Sequence, residues 1–238
     1  MTAVDGTVDV GNSSIGVGRW SEDRVTVERF REPAQAAARL HGRVALVSVA
    51  PHRLAALLAA LPAGQAERLV HLARPPADLG SEELLASAGA DRVAAVLAAR
   101  PGPAVVVDAG TAVTVEVLDA RGRYLGGFIA PGPSATAGGA AGSAEQLPRL
   151  TGERTAIVPG ATTRAALSAG LWGQAVGGVD RLVEAALASL PSSPSPRLLA
   201  TGGWGAAWAS DSRHRGVVVD ADLVHRGIAR WAAWELEQ

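Results

Sequence analysis

The sequence predicts an α/β fold of two similar half-domains, residues 1–100 and 101–238, facing one another across a cleft. Three observations point there. "VDVGNSSIGVGRW" near the N-terminus and "VVVDAGTAVTVEVL" in the middle share one arrangement: an apolar strand, an aspartate near its end, a glycine, a hydroxyl residue and a second strand. The two copies lie about 100 residues apart, too long a period for a solenoid and suited to a duplicated half-domain. Each copy also opens a run of three β-rich segments that gives way to alternating helices and strands, the succession that builds sheets covered by helices.

In chain order, "TVDVGN", "SIGVGRW" and "RVTVERF" read as three short strands separated by Gly, Asn, Ser, Glu and Asp. "REPAQAAARLH" reads as a helix with Pro33 in its first turn, where the missing N–H has no partner to lose. "RVALVSVA" is a continuous apolar run suited to a buried parallel strand. "PHRLAALLAALP" is a helix bracketed by prolines, and "ERLVHLA" a further strand. "SEELLASAGADRVAAVLAARPG" has helical spacing interrupted at Gly89, which predicts a helix starting near Asp91. Three more strands follow at 103–109, 112–119 and 123–130. The small-residue stretch 133–160 predicts one helix and a loop, and 162–190 a long helix broken near Gly177–Gly178. "PSSPSPR" reads as a linker; "RLLATGG", a helix, the strand "GVVVDA" and a last helix to Trp234 complete the chain.

Composition removes several functions. Net charge is −1 with 48% hydrophobic residues, so neither a nucleic-acid surface nor an anionic-membrane patch is expected. No signal peptide or membrane span is legible, and the absence of cysteine excludes thiol chemistry and suits a reducing cytoplasm. All 22 basic residues are arginine. Without lysine there can be no Walker-type phosphate loop, no protein-kinase lysine and no Schiff base. The five histidines lie apart without metal-ligand spacing, and no G-x-S-x-G elbow occurs. Trp204/Trp208 and Trp231/Trp234 fall at helical spacing and are expected to pack in the core or at a dimer interface, while Trp172 is expected to pack, with a place in the lining of an acceptor pocket as the alternative.

What, then, is an aspartate for at the tip of a hydrophobic hairpin? A glycine beside it removes the side chain and lets the backbone approach a ligand, while N–H groups and a hydroxyl can bind phosphate oxygens. The carboxylate cannot touch phosphate directly, so it must hold a cation or a water that does. One Asp-Gly turn alone is equally an ordinary structural turn. Two of them, with "LLATGGWG" as a third glycine-rich turn after a strand, favour a nucleotide cleft. Likewise Asp91–Arg92 can be a helix-start aspartate and a surface arginine, or a base and an anion anchor.

The duplicated hairpins resemble the actin/hexokinase/Hsp70 ATPase superfamily, with its actin-like (ribonuclease H-like) half-domains. More narrowly, "VDVGNSS" is similar to the D-x-G-N-[ST] of type III pantothenate kinases, and "GADR" at 89–92 to their G-x-D-R. "DAGTAVTVE", "GRYLGGFIAPG", "LP" at 147–148, Thr163, Gly170 and "TGG" at 201–203 follow in the family's order. The resemblance implies ATP-dependent phosphorylation of pantothenate. Asp9, Gly11, Asn12 and Ser13 would form a first phosphate loop; Gly110 and Thr111 a second; Gly202 and Gly203 would lie near adenosine. Asp91 would be the base, and Gly89, Arg92 and Thr163 would hold pantothenate. Asp108 would serve a monovalent cation, K⁺ or NH₄⁺, beside the Mg²⁺ that accompanies ATP, in a cytoplasmic homodimer. The chain departs from the family at "LLASA" before Gly89, in "PSATAGGAAGSAEQLP", where Ala144–Glu145 replace Thr-Ala, and at Glu116. Those positions surround the expected acceptor pocket rather than the phosphate loops.

Overall fold

The computed structural model describes residues 3–143, 147–192 and 194–238, so Ala144–Glu145 lie outside the described residues. One five-stranded sheet contains β1 (Gly6–Val10), β2 (Ile15–Ser21), β3 (Arg24–Phe30), β4 (Val44–Ser48) and β5 (Leu69–His71), ordered β3-β2-β1-β4-β5. The other contains β6 (Ala104–Ala109), β7 (Ala112–Leu118), β8 (Tyr124–Pro131), β9 (Arg197–Thr201) and β10 (Val218–Val219), ordered β8-β7-β6-β9-β10. Strand for strand the two orders are the same. In the first, β1–β2 and β2–β3 are antiparallel while β4 and β5 add in parallel. In the second, β9 lies parallel to β6 and β10 parallel to β9. Only two residues join β6 to β7, a connection available to antiparallel strands alone.

The helices are α1 (Pro33–Ala37), α2 (Pro51–Ala59), α3 (Glu82–Ser87), α4 (Ala90–Ala99), α5 (Pro133–Ser143), α6 (Thr163–Ala188), α7 (Gly205–Asp211) and α8 (Leu223–Leu236). Among the described residues no helix is long and apolar enough to cross a membrane.

The chain divides into two compact units. One holds the residues up to Gly102 together with Leu118–Leu125 and Asp222–Gln238; the other holds Pro103–Val117 and Gly126–Ala221. The last helix, α8, thus packs with the first sheet, against β1, β4 and α4. Its anchors are specific. Gly227 crosses α4 where any side chain would run into the Ala94 carbonyl. Arg230 donates to the carbonyls of Leu97, Ala98 and Arg100 at 3.0, 2.8 and 3.0 Å, placing a cation on the C-terminal end of α4. Trp231 Nε1 donates to the Arg74 carbonyl at 2.9 Å.

In the first unit the period-two pattern sends Val8, Val10, Ile15, Val17, Val44 and Leu46 into a core with Ala36, Leu40 and Leu57. In the second, Val105, Val107, Val113, Val115 and Val117 meet a stripe of α6, Trp172, Val176, Val179, Val183 and Ala186. Contrary to the break expected at Gly177–Gly178, α6 runs unbroken over 26 residues. Two helical glycines cost about 2 kcal/mol together, and the buried stripe outweighs that at about 1.5–3 kcal/mol per large apolar side chain. Asp180, 3% exposed on α6, accepts from Trp208 Nε1 at 3.0 Å, Ser212 Oγ at 2.6 Å and the Arg213 N–H at 3.1 Å, tying α7 to α6. β10 has two residues, shorter than "GVVVDA" suggested.

One buried group titrates in a useful range. His225 of α8 is 1% exposed, with Nδ1 2.9 Å from Thr7 Oγ1, which also accepts from Trp20 Nε1 at 3.2 Å. A side chain on Gly16 or Gly18 would start 2.7 or 2.9 Å from its ring nitrogens, so the two glycines form its slot. Burial, then the charge of Arg29, lowers its pKa to about 3. An unfolded histidine titrates near 6.5, so stability is whole above about pH 6.5 and falls as pH drops towards 3. In that window the unfolded chain takes up a proton that the folded one refuses, a loss of about 1.4 kcal/mol per pH unit. Urea unfolding should show a midpoint that falls between about pH 6.5 and 5. His225→Gln should lower stability throughout and flatten that slope; an unchanged slope would contradict the assignment.

Candidate active site

The first turn joins β1 to β2. Asp9 is half-buried near the end of β1, in register with Gly16 of β2 and Val47 of β4. The Gly11 N–H donates to the Ser14 carbonyl at 3.1 Å and closes the turn. A Cβ at Gly11 would stand 3.3 Å from that same carbonyl oxygen. Asn12 and Ser13 are exposed at the tip.

The second turn joins β6 to β7 at the corresponding corner of the other sheet. Asp108, half-buried, pairs in register with Thr201 of β9. The Gly110 N–H donates to the Ala112 carbonyl at 3.1 Å, and the Gly132 N–H to the Thr111 carbonyl at 2.9 Å. A side chain on Gly132 would collide with the Gly110 and Thr111 carbonyls. Thr111 itself is exposed. The third glycine-rich turn lies directly on this one. Gly202, at φ +84°, has no room for a Cβ, which would overlap an Asp108 carboxylate oxygen and the Ala109 carbonyl. Gly203 next to it faces open space. The Asp108, Gly110, Thr111, Gly202 and Gly203 positions are therefore brought together within one unit.

In the first unit, Gly89 caps the N-terminus of α4 and Asp91 lies in its first turn. The Arg92 N–H donates to Asp91 Oδ1 at 2.8 Å, folding the carboxylate back over Gly89. A Cβ at residue 89 would stand 2.6 Å from that oxygen, so glycine is what permits the fold-back. Arg92 is aimed by Tyr124, the chain's one tyrosine: Arg92 Nη2 donates to the phenol oxygen at 2.7 Å, with the guanidinium carbon 6.0 Å from the ring centroid. Thr163 is the first residue of α6, exposed, behind the cap Thr162, whose hydroxyl accepts the Ala165 N–H at 3.2 Å. Gly160 sits where a side chain would overlap the backbone of Ala165 and Ala166.

Two participants were not singled out from sequence for the site. Tyr124 was legible only as the lone tyrosine opening a strand. Trp204 was paired with Trp208 by spacing, yet the two part company. Trp208 is fully buried against Asp180, whereas Trp204 precedes α7 and donates its indole N–H to the Gly110 carbonyl at 2.9 Å. The tryptophan between glycines in "TGGWG" was the available signal.

The donors suit hard cations. Asp9 and Asp108 each offer a carboxylate beside exposed hydroxyl groups, and among the described residues no three His, Cys, Asp or Glu side chains gather as a metal cage. Carboxylate and hydroxyl oxygens are the ligand type that a hard cation such as Mg²⁺ takes.

Comparison with known proteins agrees. A model of the type III pantothenate kinase family matches residues 7–185. A type III pantothenate kinase of Dehalococcoides mccartyi is 37% identical over 143 residues, 59% of this chain and 54% of that protein, so the chain's match spans about half of that relative. One from Halorhodospira halophila is 32% identical over 246 residues, 92% of this chain and 95% of the relative. Among solved structures, one named for a Baf family transcriptional activator from Campylobacter jejuni superposes with a TM-score of 0.65 at 20% identity, covering 98% of this chain and 100% of that one; at that identity it speaks for the fold alone. Matched by the family model over most of its residues and by one relative along nearly its whole length, the chain belongs to the type III pantothenate kinase family.

Proposed function

We propose that this chain transfers the γ-phosphoryl group of ATP to the terminal hydroxyl of pantothenate, yielding 4′-phosphopantothenate and ADP at the entry to coenzyme A synthesis. The observation that carries it is the repeat: the same carboxylate–glycine–hydroxyl turn closes the central strand of each of two identically ordered sheets. Asp9, Gly11, Asn12 and Ser13 form one phosphate loop, Gly110 and Thr111 the other, and Gly202 and Gly203 flank the adenosine. Asp9 and Asp108 hold cations, Asp108 the monovalent K⁺ or NH₄⁺; with Mg²⁺ these supply the charge neutralisation that a lysine-free chain lacks. Gly89, Arg92 and Thr163 hold pantothenate, the forked guanidinium of Arg92 meeting its carboxylate. We place the enzyme in the cytoplasm.

Asp91 acts as base. A primary alcohol is far too weak an acid for a carboxylate to ionise in advance. In a loose phosphoryl-transfer transition state the proton leaves late, as the new O–P bond forms and the bond to the β-phosphate oxygen breaks, so a positioned carboxylate suffices. Such a base contributes about 10²–10⁴ in rate, or about 3–5 kcal/mol of barrier.

The enzyme works as a homodimer. β8 is the edge strand of its sheet and exposes Phe128 and Ile129, the latter 64% exposed, and the Ile157–Val158 pair is also open at 54% and 60%. Apolar side chains on a strand edge invite a second chain.

Three measurements follow. Asp91→Asn should lower kcat about 10²- to 10⁴-fold in a pantothenate-dependent ADP-release assay while nucleotide binding stays within a few-fold; ADP release indifferent to pantothenate would mean another acceptor or a non-catalytic role. Asp108→Asn should erase the activity difference between K⁺ and Na⁺ buffers, and retention of that difference would remove Asp108 from the cation site. Ile129→Glu should shift the sedimentation of the protein from dimer to monomer; an unshifted dimer would place the interface elsewhere.

A further inference from the structure

We infer that Trp204 is a positioning residue for phosphoryl transfer, acting through the peptide between Gly110 and Thr111; the inference rests on the second turn being a phosphate loop. One residue holds two successive carbonyls of that turn. The Trp204 backbone N–H donates to Ala109 at 3.1 Å, and its indole Nε1–H to Gly110 at 2.9 Å. With Gly132 on Thr111 and Gly110 on Ala112, the four carbonyls from Ala109 to Ala112 each receive a donor.

The consequence is electrostatic. In a trans peptide the C=O of one residue and the N–H of the next point in opposite directions. Fixing the Gly110 carbonyl on the indole therefore fixes the Thr111 N–H away from it. A glycine at 110 makes this peptide easy to flip, and a flip would turn a carbonyl oxygen to the side to which the N–H now points, where a phosphate would be repelled. The indole N–H prevents that.

Trp204 is itself braced. Its ring meets Trp172 edge to face, with centroids 5.6 Å apart and planes at 66°. Trp172, 1% exposed, donates to Asp211 Oδ2 at 2.8 Å, and Arg154 pairs with the same carboxylate at 3.0 Å. Gly202 at φ +84° sets the chain so that Trp204 reaches back over the turn.

Trp204→Phe keeps an aromatic ring against Trp172 and removes only the indole donor. It should raise KM for ATP about three- to tenfold, the worth of one hydrogen bond, with KM for pantothenate within twofold. Trp208→Phe is the control: it deletes an indole hydrogen bond four residues on, to buried Asp180, without touching the turn. It should lower Tm and leave both KM values within twofold. An unchanged KM for ATP in Trp204→Phe, or equal effects in the two variants, overturns the inference. Thr111→Val tests the underlying reading. If it raises KM for ATP and Trp204→Phe does not, only the positioning role falls; if neither does, the turn is no phosphate loop and both fall.

Discussion

Gly202 rests on the Asp108 carboxylate, and no residue with a side chain could stand there. Much of the second unit follows from that contact. β9 must arrive beside β6 in the register that pairs Thr201 with Asp108, and the chain must then bend at a left-handed backbone angle that glycine alone adopts without strain. Backbone, rather than side chain, is brought against the carboxylate.

The two sheets share a strand order but not the means of securing their turns. In the first, the turn spans Gly11 to Ser14 and is closed by its own hydrogen bond. In the second, it is two residues long, is likewise closed by its own Gly110–Ala112 hydrogen bond, and is held from outside as well by Trp204 and Gly132. Gly16 and Gly18 open a slot that His225 fills on the face of the first sheet that carries Thr7 and Asp9; in the second unit α6 packs on Val105, Val107 and Ala109, the face of β6 that Asp108 does not share. The duplication is thus one of topology and of the turn after the central strand, with outside braces added to the second copy.

Most elements were legible because they obey local rules. The alternation of "TVDVGN" and "RVTVERF", the prolines around α2 and the interruption at Gly89 each mark an element that the structure contains. The continuity of α6 was not legible, because helix propensity penalises Gly177 and Gly178 while the burial that offsets them is tertiary. The place of α8 was hidden for the same reason: nothing local says that Gly227 must touch Ala94, or that Arg230 will end another helix. Asp9, Asp91 and Asp108 belong to short motifs and stand out in the sequence as candidates. Their supporting partners do not, because Tyr124 and Trp204 act on residues 32 and 94 positions away.

The grip of Arg230 on the end of α4 also sets an order of events in biosynthesis. The helix that carries Asp91 in its first turn receives its C-terminal cation, and the crossing at Gly227, from Asp222–Gln238, a segment that follows the whole second unit in sequence. Until that segment has been synthesised, α4 lacks the helix that packs along it. The second unit suffers no such delay, since its residues are all synthesised before Asp222. The unit begun first waits for residues made after the other.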